Sequence, residues 1–193
     1  MSNVSRIRGL RPVRHLNGSP WNGQVETFAF LSGDATAAYT GDTVKLSGTA
    51  SATGIASITS TTADADLPVG VLVGNIPDYS NLNQPAGYRA ASTARTAFVV
   101  VDPTVVYEIQ ADSATAITDI GLNVGLNYTA GSTTTGLSGY TAKMSTKATT
   151  STLPLKIIGV LQRPDQDMAD SSNWKLLVTL NTNVFGSAGT AGV

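Results

Sequence analysis

The chain has 193 residues, no cysteine, only 13% charged residues and a formal net charge of −1. That length allows one domain with a sizeable core, and the missing cysteines exclude a disulfide framework, thiolate metal sites and thiol catalysis. Ser, Thr, Ala and Gly stand in for the missing charge, which suits strands and protein-covered surfaces better than solvated helices.

Residues 1–23 read as an extended basic arm. Arg6, Arg8, Arg11 and Arg14 fall here with no acid among them, while the eight remaining bases face thirteen acids and leave the rest at −5. A basic arm on a mildly acidic body seeks an acidic partner. Pro12, Pro20, Gly9, Gly18 and Gly23 discourage helix, and Asn17-Gly18 signals a turn. Such a segment cannot fold alone and orders against its own body, a neighbour or a partner. Gly9 to His15 breaks any signal-peptide apolar core, and no run approaches the ~18 apolar residues of a spanning helix. The expectation is a protein used without export by that route and with no membrane partner.

The body, residues 24–185, reads as one all-β domain. Gln24–Leu31 alternates as a strand, with Phe28 and Phe30 on one side. Thr43–Leu46 is a second strand, ended by Gly48, and Ile55–Ile58 a third. Val69–Val73 and Ala97–Val101 are short continuous apolar runs, the mark of buried strands. Between them lies a polar loop, Gly74–Tyr88, of a length that is usually functional or held by a neighbour. Val105–Gln110 follows Ala97–Val101 at once, and the two predict a central hairpin around Asp102-Pro103-Thr104. Ala114–Ile120 allows one short helix, and Gly121–Gly139 is loop with short strand pieces. Leu155–Gln162 and Trp174–Leu180 are strands flanking an acidic loop, 164–173, and residues 186–193 form a flexible low-complexity tail. Many short strands separated by turns predict a β-sandwich, jelly-roll-like or barrel domain with an extended arm and long loops.

Catalytic constellations are hard to find. His15 is the only histidine and lies in the arm, so it is poorly placed as a general base or triad member. Gly136-Leu137-Ser138-Gly139 lacks the nucleophile-elbow spacing. Asp64 and Asp66 form one carboxylate pair. Asp165, Asp167 and Asp170 cluster in another loop, without the central Gly and closing Glu of a calcium loop. No phosphate loop or dinucleotide fingerprint occurs. Nucleic-acid binding would rest on the four arm arginines alone, which argues against it. The reading is therefore of a non-enzyme with no metal and no cofactor. Trp21, where arm meets body, is either a core anchor for the arm or an interface hot spot.

Several segments together resemble tailed-bacteriophage capsid cement or decoration proteins: Leu10–Gly18 with Trp21-Asn22-Gly23, Asp78–Leu82, Asp102-Pro103 through Gln110, and Pro154–Gly159. The resemblance implies a virion protein, made in the host cytoplasm, that binds the outer surface of the expanded shell as a dimer or trimer and cements adjacent major capsid proteins. It implies capsid contact through Arg6, Arg8, Arg11, Arg14, His15, Trp21, Asp78 and Tyr79. Two further readings compete: a head-fibre or host/glycan-binding module, and a carbohydrate-acting enzyme or sugar-binding module with Asp64 and Asp66 as the carboxylates to test. The absence of heptads counts against a fibre, and the few aromatics offer no evident sugar platform.

Overall fold

The computed structural model describes residues 3–186 and 188–192. Among these, thirteen strands run in chain order: β1 (Arg11–His15), β2 (Glu26–Phe30), β3 (Ala38–Tyr39), β4 (Thr43–Ala50), β5 (Ala56–Ser60), β6 (Gly70–Asn75), β7 (Tyr88–Arg89), β8 (Arg95–Val100), β9 (Val105–Gln110), β10 (Asn123–Asn127), β11 (Thr141–Ala148), β12 (Leu155–Val160) and β13 (Lys175–Leu180). The expected helix at 114–120 is a single 3-10 turn, Ile117–Asp119. The fold is all-β, and barrel closure is its leading feature.

The first half closes into a barrel, β2-β5-β4-β6-β8, in which only the β2–β5 pair is parallel. Its core holds Phe28, Phe30, Val44, Ile58, Leu72, Ala97 and Val99. The second half is a six-stranded sheet, β1-β9-β13-β12-β10-β11. It curls on itself, because Ala111, just past β9, bridges to Ala142 of β11. Here Val105, Tyr107 and Ile109 of β9 pack with Val124, Leu126, Leu155, Ile157, Trp174, Leu176 and Val178.

The two apolar runs of the first half acquire a reason in this arrangement. Leu72 and Val99 point into the barrel core, whereas their neighbours Val71 and Val100 belong to the core of the second sheet. Successive side chains of a strand face opposite ways, so β6 and β8 form a wall shared by two cores, and both faces must be apolar. Tyr140 Oη donates across the same junction to Thr61 O at 2.6 Å.

That arrangement overturns the expected β8–β9 hairpin. Both edges of β8 are taken by β2 and β6, and β9 lies between β1 and β13. The Asp102 turn is instead a crossover between sheets, held by Thr104 N donating to Asp102 Oδ1 at 2.7 Å. A second correction concerns β4, which runs past Gly48 to Ala50. Gly48 has φ +80° and sits at a register shift, so it bends the strand rather than ending it.

The arm is also not a free appendage. β1 extends the second sheet by pairing with β9, and Leu10 is buried in that sheet's core. Gly9 lets it enter: at φ +67° its Cα lies so close to Gly41 O that a Cβ would come within 2.4 Å. Further out, the Asn3 amide nitrogen donates into the 163–173 loop, 2.9–3.0 Å from the carbonyls of Asp167, Asp170 and Ser172. The expected flexible tail is likewise tied down where it is described. Thr190 N donates to Asn181 Oδ1 at 3.0 Å, Gly192 N donates to Thr149 O, and Asn123 Nδ2 donates to Thr190 O. The parts of the arm and tail expectations that fall on residues 1, 2, 187 and 193 lie outside the described residues.

Candidate binding surfaces

Two surfaces carry the sequence-predicted residues, and the structure does not bring them together. The first is the docked arm. Arg8 and Arg11 are exposed and make no ion pair among the described residues. Arg6 is exposed too, with Asp165 at 3.9 Å, and its backbone N donates to Gln110 Oε1. Val4, 62% exposed, and Ile7 alternate with these arginines. The exposed stretch from Val4 to Arg8 therefore mixes apolar and cationic side chains, tied to the body by Gln110 and Lys175.

Arg14, His15 and Trp21 serve the arm itself. Arg14 donates to His15 O, and Trp21 N donates to Val13 O at 3.2 Å as the chain doubles back over β1. The Trp21 ring packs on the core of the second sheet. Its indole Nε1 is buried without a hydrogen-bond partner among the described residues. This is the packing that the anchor reading expects, and the ring remains partly exposed. His15 Nδ1 lies 3.1 Å from Asp102 Oδ2, tying β1 to the crossover turn.

Asp78 and Tyr79 lie on the barrel, in a broad pocket of about 1070 Å³ that none of the described arm residues lines. Its floor reaches the barrel core at Phe30 and Ile58. Its walls are the far half of the β4–β5 hairpin, the Leu31–Asp34 turn and the Ile76–Ser80 segment. Tyr79 projects at the rim, 80% exposed.

Two arginines that sequence reasoning passed over build this pocket. Arg89 is 0% exposed. Its guanidinium donates to Leu31 O at 2.7 Å, Thr36 O at 2.5 Å, Asp34 O at 3.0 Å and Asp34 Oδ2 at 3.2 Å, and its Nε donates to Thr93 O. It also lies over the Phe30 ring, 5.0 Å from the centroid. Burial lowers its pKa, and Asp34 opposes that shift. Arg95 donates to Asp78 Oδ2 at 3.3 Å, to Gln84 Oε1 and to Tyr88 O. Asp78 is held below the usual carboxylate range by the Ser80 hydroxyl and N–H first, and then by Arg95. A buried arginine needs its fork filled, and here the filling groups are the loop backbones that shape the rim.

The candidate carboxylates have other employment. Asp64 Oδ1 accepts from Leu126 N at 2.9 Å and Tyr128 Oη at 3.0 Å, joining the two halves of the fold. Asp66 pairs with Lys45 at 2.6 Å and accepts from Thr62 N. Each carboxylate is thus engaged by groups of the protein itself. In the 163–173 loop the Asn3 side chain is seated among the carbonyls, and no group of three or more His, Asp or Glu residues that could hold a metal is found among the described residues.

No protein-family model, curated protein or solved structure matches this chain.

Proposed function

We propose that this protein is a non-enzymatic structural component of a phage virion, binding the outer surface of the expanded capsid and cementing adjacent major capsid proteins. The observation that carries the reading is the docked arm, where Val4 and Ile7 alternate with Arg6 and Arg8 and Arg11 follows, all exposed. Arginine is enriched at protein interfaces, whose fully buried centre is more apolar than the surrounding surface. The arm is already tied down, Arg11–His15 by pairing with β9 and Val4–Arg6 by the Gln110 and Lys175 side chains, so binding through it costs little further chain entropy. The arginines would meet acidic groups of the shell while Val4 and Ile7 are buried at the seam. A homodimer or homotrimer would bridge several capsid subunits at once, adding interface to a shell under DNA pressure. Binding that favours the assembled shell over its separated subunits stabilises it by mass action.

The test is the behaviour of heads with and without the protein. Heads lacking it should lose DNA and rupture at lower temperature, and adding the purified protein back should restore resistance. Depleted heads as heat-resistant as complete ones would end the cement reading.

A further inference from the structure

We propose that the pocket on the barrel is a binding site for a neutral oligosaccharide. This goes beyond the cement reading and concerns a surface that the arm does not share. The pocket's volume of about 1070 Å³ lies just above the ~300–1,000 Å³ usual for ligand clefts, giving room for more than one sugar ring.

Its chemistry is that of a polyhydroxylated ligand. One wall is a row of hydroxyls: Ser47, Thr49 and Ser51 at every second position, with Thr53 and Thr59 beside them. Several are already held by neighbouring hydroxyls. Ser47 Oγ and Thr49 Oγ1 lie 2.5 and 2.7 Å from Ser57 Oγ, and Ser51 Oγ lies 2.8 Å from Thr53 Oγ1. A hydroxyl offers one donor and two acceptor positions, so each retains capacity for a ligand hydroxyl. At the rim, Tyr79 presents a ring that stacks on no other aromatic among the described residues. It provides a flat apolar face beside Pro77 and Ile76 for the C–H side of a sugar ring.

The charge balance selects a neutral ligand over an anionic one. Asp34, Asp78 and Arg95 are the charged residues lining the pocket. Asp34 is paired with buried Arg89, and Asp78 with Arg95. No unpaired cation remains among the lining residues to attract phosphate, sulfate or carboxylate. The same two pairs fix the Leu31–Asp34 turn and the Ile76–Ser80 segment, so the pocket is formed before a ligand arrives.

Saturation-transfer NMR on the full chain, with maltohexaose, cellohexaose and N-acetylchitohexaose as neutral probes and a heparin hexasaccharide as the charged one, tests this directly. At least one neutral probe should receive saturation at about 1 mM. Tyr79→Ala and Thr49→Val should each weaken that binding tenfold or more, while Arg11→Ala leaves it unchanged. Tyr79 is exposed, so its replacement does not threaten the fold. Three outcomes overturn the proposal: no transfer to any neutral probe, preference for the heparin hexasaccharide, or binding indifferent to Tyr79→Ala. Loss of capsid binding in Tyr79→Ala with no sugar binding by the parent would assign the pocket to a protein partner instead.

Discussion

Replacing Asp42 with asparagine should stabilise this protein at neutral and alkaline pH and leave it unchanged in acid. Asp42 is 1% exposed, at the junction where Gly41 receives the arm. It makes no ion pair among the described residues. Tyr39 N donates to its Oδ2 at 2.9 Å, and the Ser60 and Ser138 hydroxyls lie beside it. These bonds do not offset desolvation, which raises the carboxyl to about 7 from the ordinary 3.8. The folded state therefore holds this proton more tightly than the unfolded chain. As pH rises from about 4 to about 7, the unfolded carboxyl ionises first and folding stability falls; above 7 the loss is complete. Three pH units correspond to roughly 4 kcal/mol as an upper bound. Asparagine keeps an oxygen for Tyr39 N and carries no titrating proton, so a gain of about 1–3 kcal/mol at pH 8 is expected. Urea unfolding of parent and variant from pH 4 to pH 8 reads the effect as a difference. That cancels the opposite trend of Asp66, Asp78 and Asp102, whose lowered pKa values contribute stability that is lost only in acid. Equal pH dependence in the two proteins, or an Asp42→Asn variant weaker than the parent at pH 8, would falsify the reasoning.

Other substitutions probe the remaining joints. Arg89→Lys leaves a buried charge without its fork and should cost about 3–5 kcal/mol, read as a large drop in thermal midpoint; a midpoint within about 2 °C of the parent would contradict the role given to Arg89. Leu10→Ala should cost about 2–5 kcal/mol in urea unfolding, because Leu10 fills the core of the second sheet; an effect below about 1 kcal/mol would mean the arm is not anchored there. Asn3→Ala should raise amide exchange at Asp167, whose N–H donates to Asn3 Oδ1 at 2.7 Å, while leaving β9 protected; unchanged exchange at Asp167 would mean that Asn3 does not hold the 163–173 loop.

How much of this was legible in the sequence depended on where each signal lay. Val105–Gln110, apolar and β-branched directly after a turn signal, is a strand over those same residues. The runs at Val69–Val73 and Ala97–Val101 were legible as buried strands because two cores flank them. Their partners were not, since proximity in sequence favoured a hairpin while pairing is decided by which edges are free. β11 passed unnoticed because Thr141–Ala148 is mostly Thr, Lys and Ser, with Ala142 and Met144 as its buried apolar residues. β1 looked like loop for a similar reason: Arg11–His15 carries Pro12 and is strand only because β9 has an edge to offer.

The pocket was the least legible feature. Its hydroxyls look like ordinary low-complexity sequence, Arg89 gains its meaning from carbonyls more than fifty residues away, and Arg95 from Asp78 and Gln84 in the preceding loop. One signal was available. In a chain with twelve Lys and Arg, four of them in the arm, two arginines six residues apart in a polar stretch invite the question of what they hold. Asp34 and Asp78, both in turns, were the answer.

The most direct measurement of the capsid-cementing account is co-sedimentation of the purified full chain with expanded and with unexpanded phage heads, beside a variant carrying Arg6→Ala, Arg8→Ala and Arg11→Ala. These exposed positions leave β1 and Leu10 in place, so the fold survives the change. The expected result is saturable binding to expanded heads alone, lost or weakened tenfold or more in the triple variant. Binding to neither shell, or equal binding by parent and variant, would contradict the account.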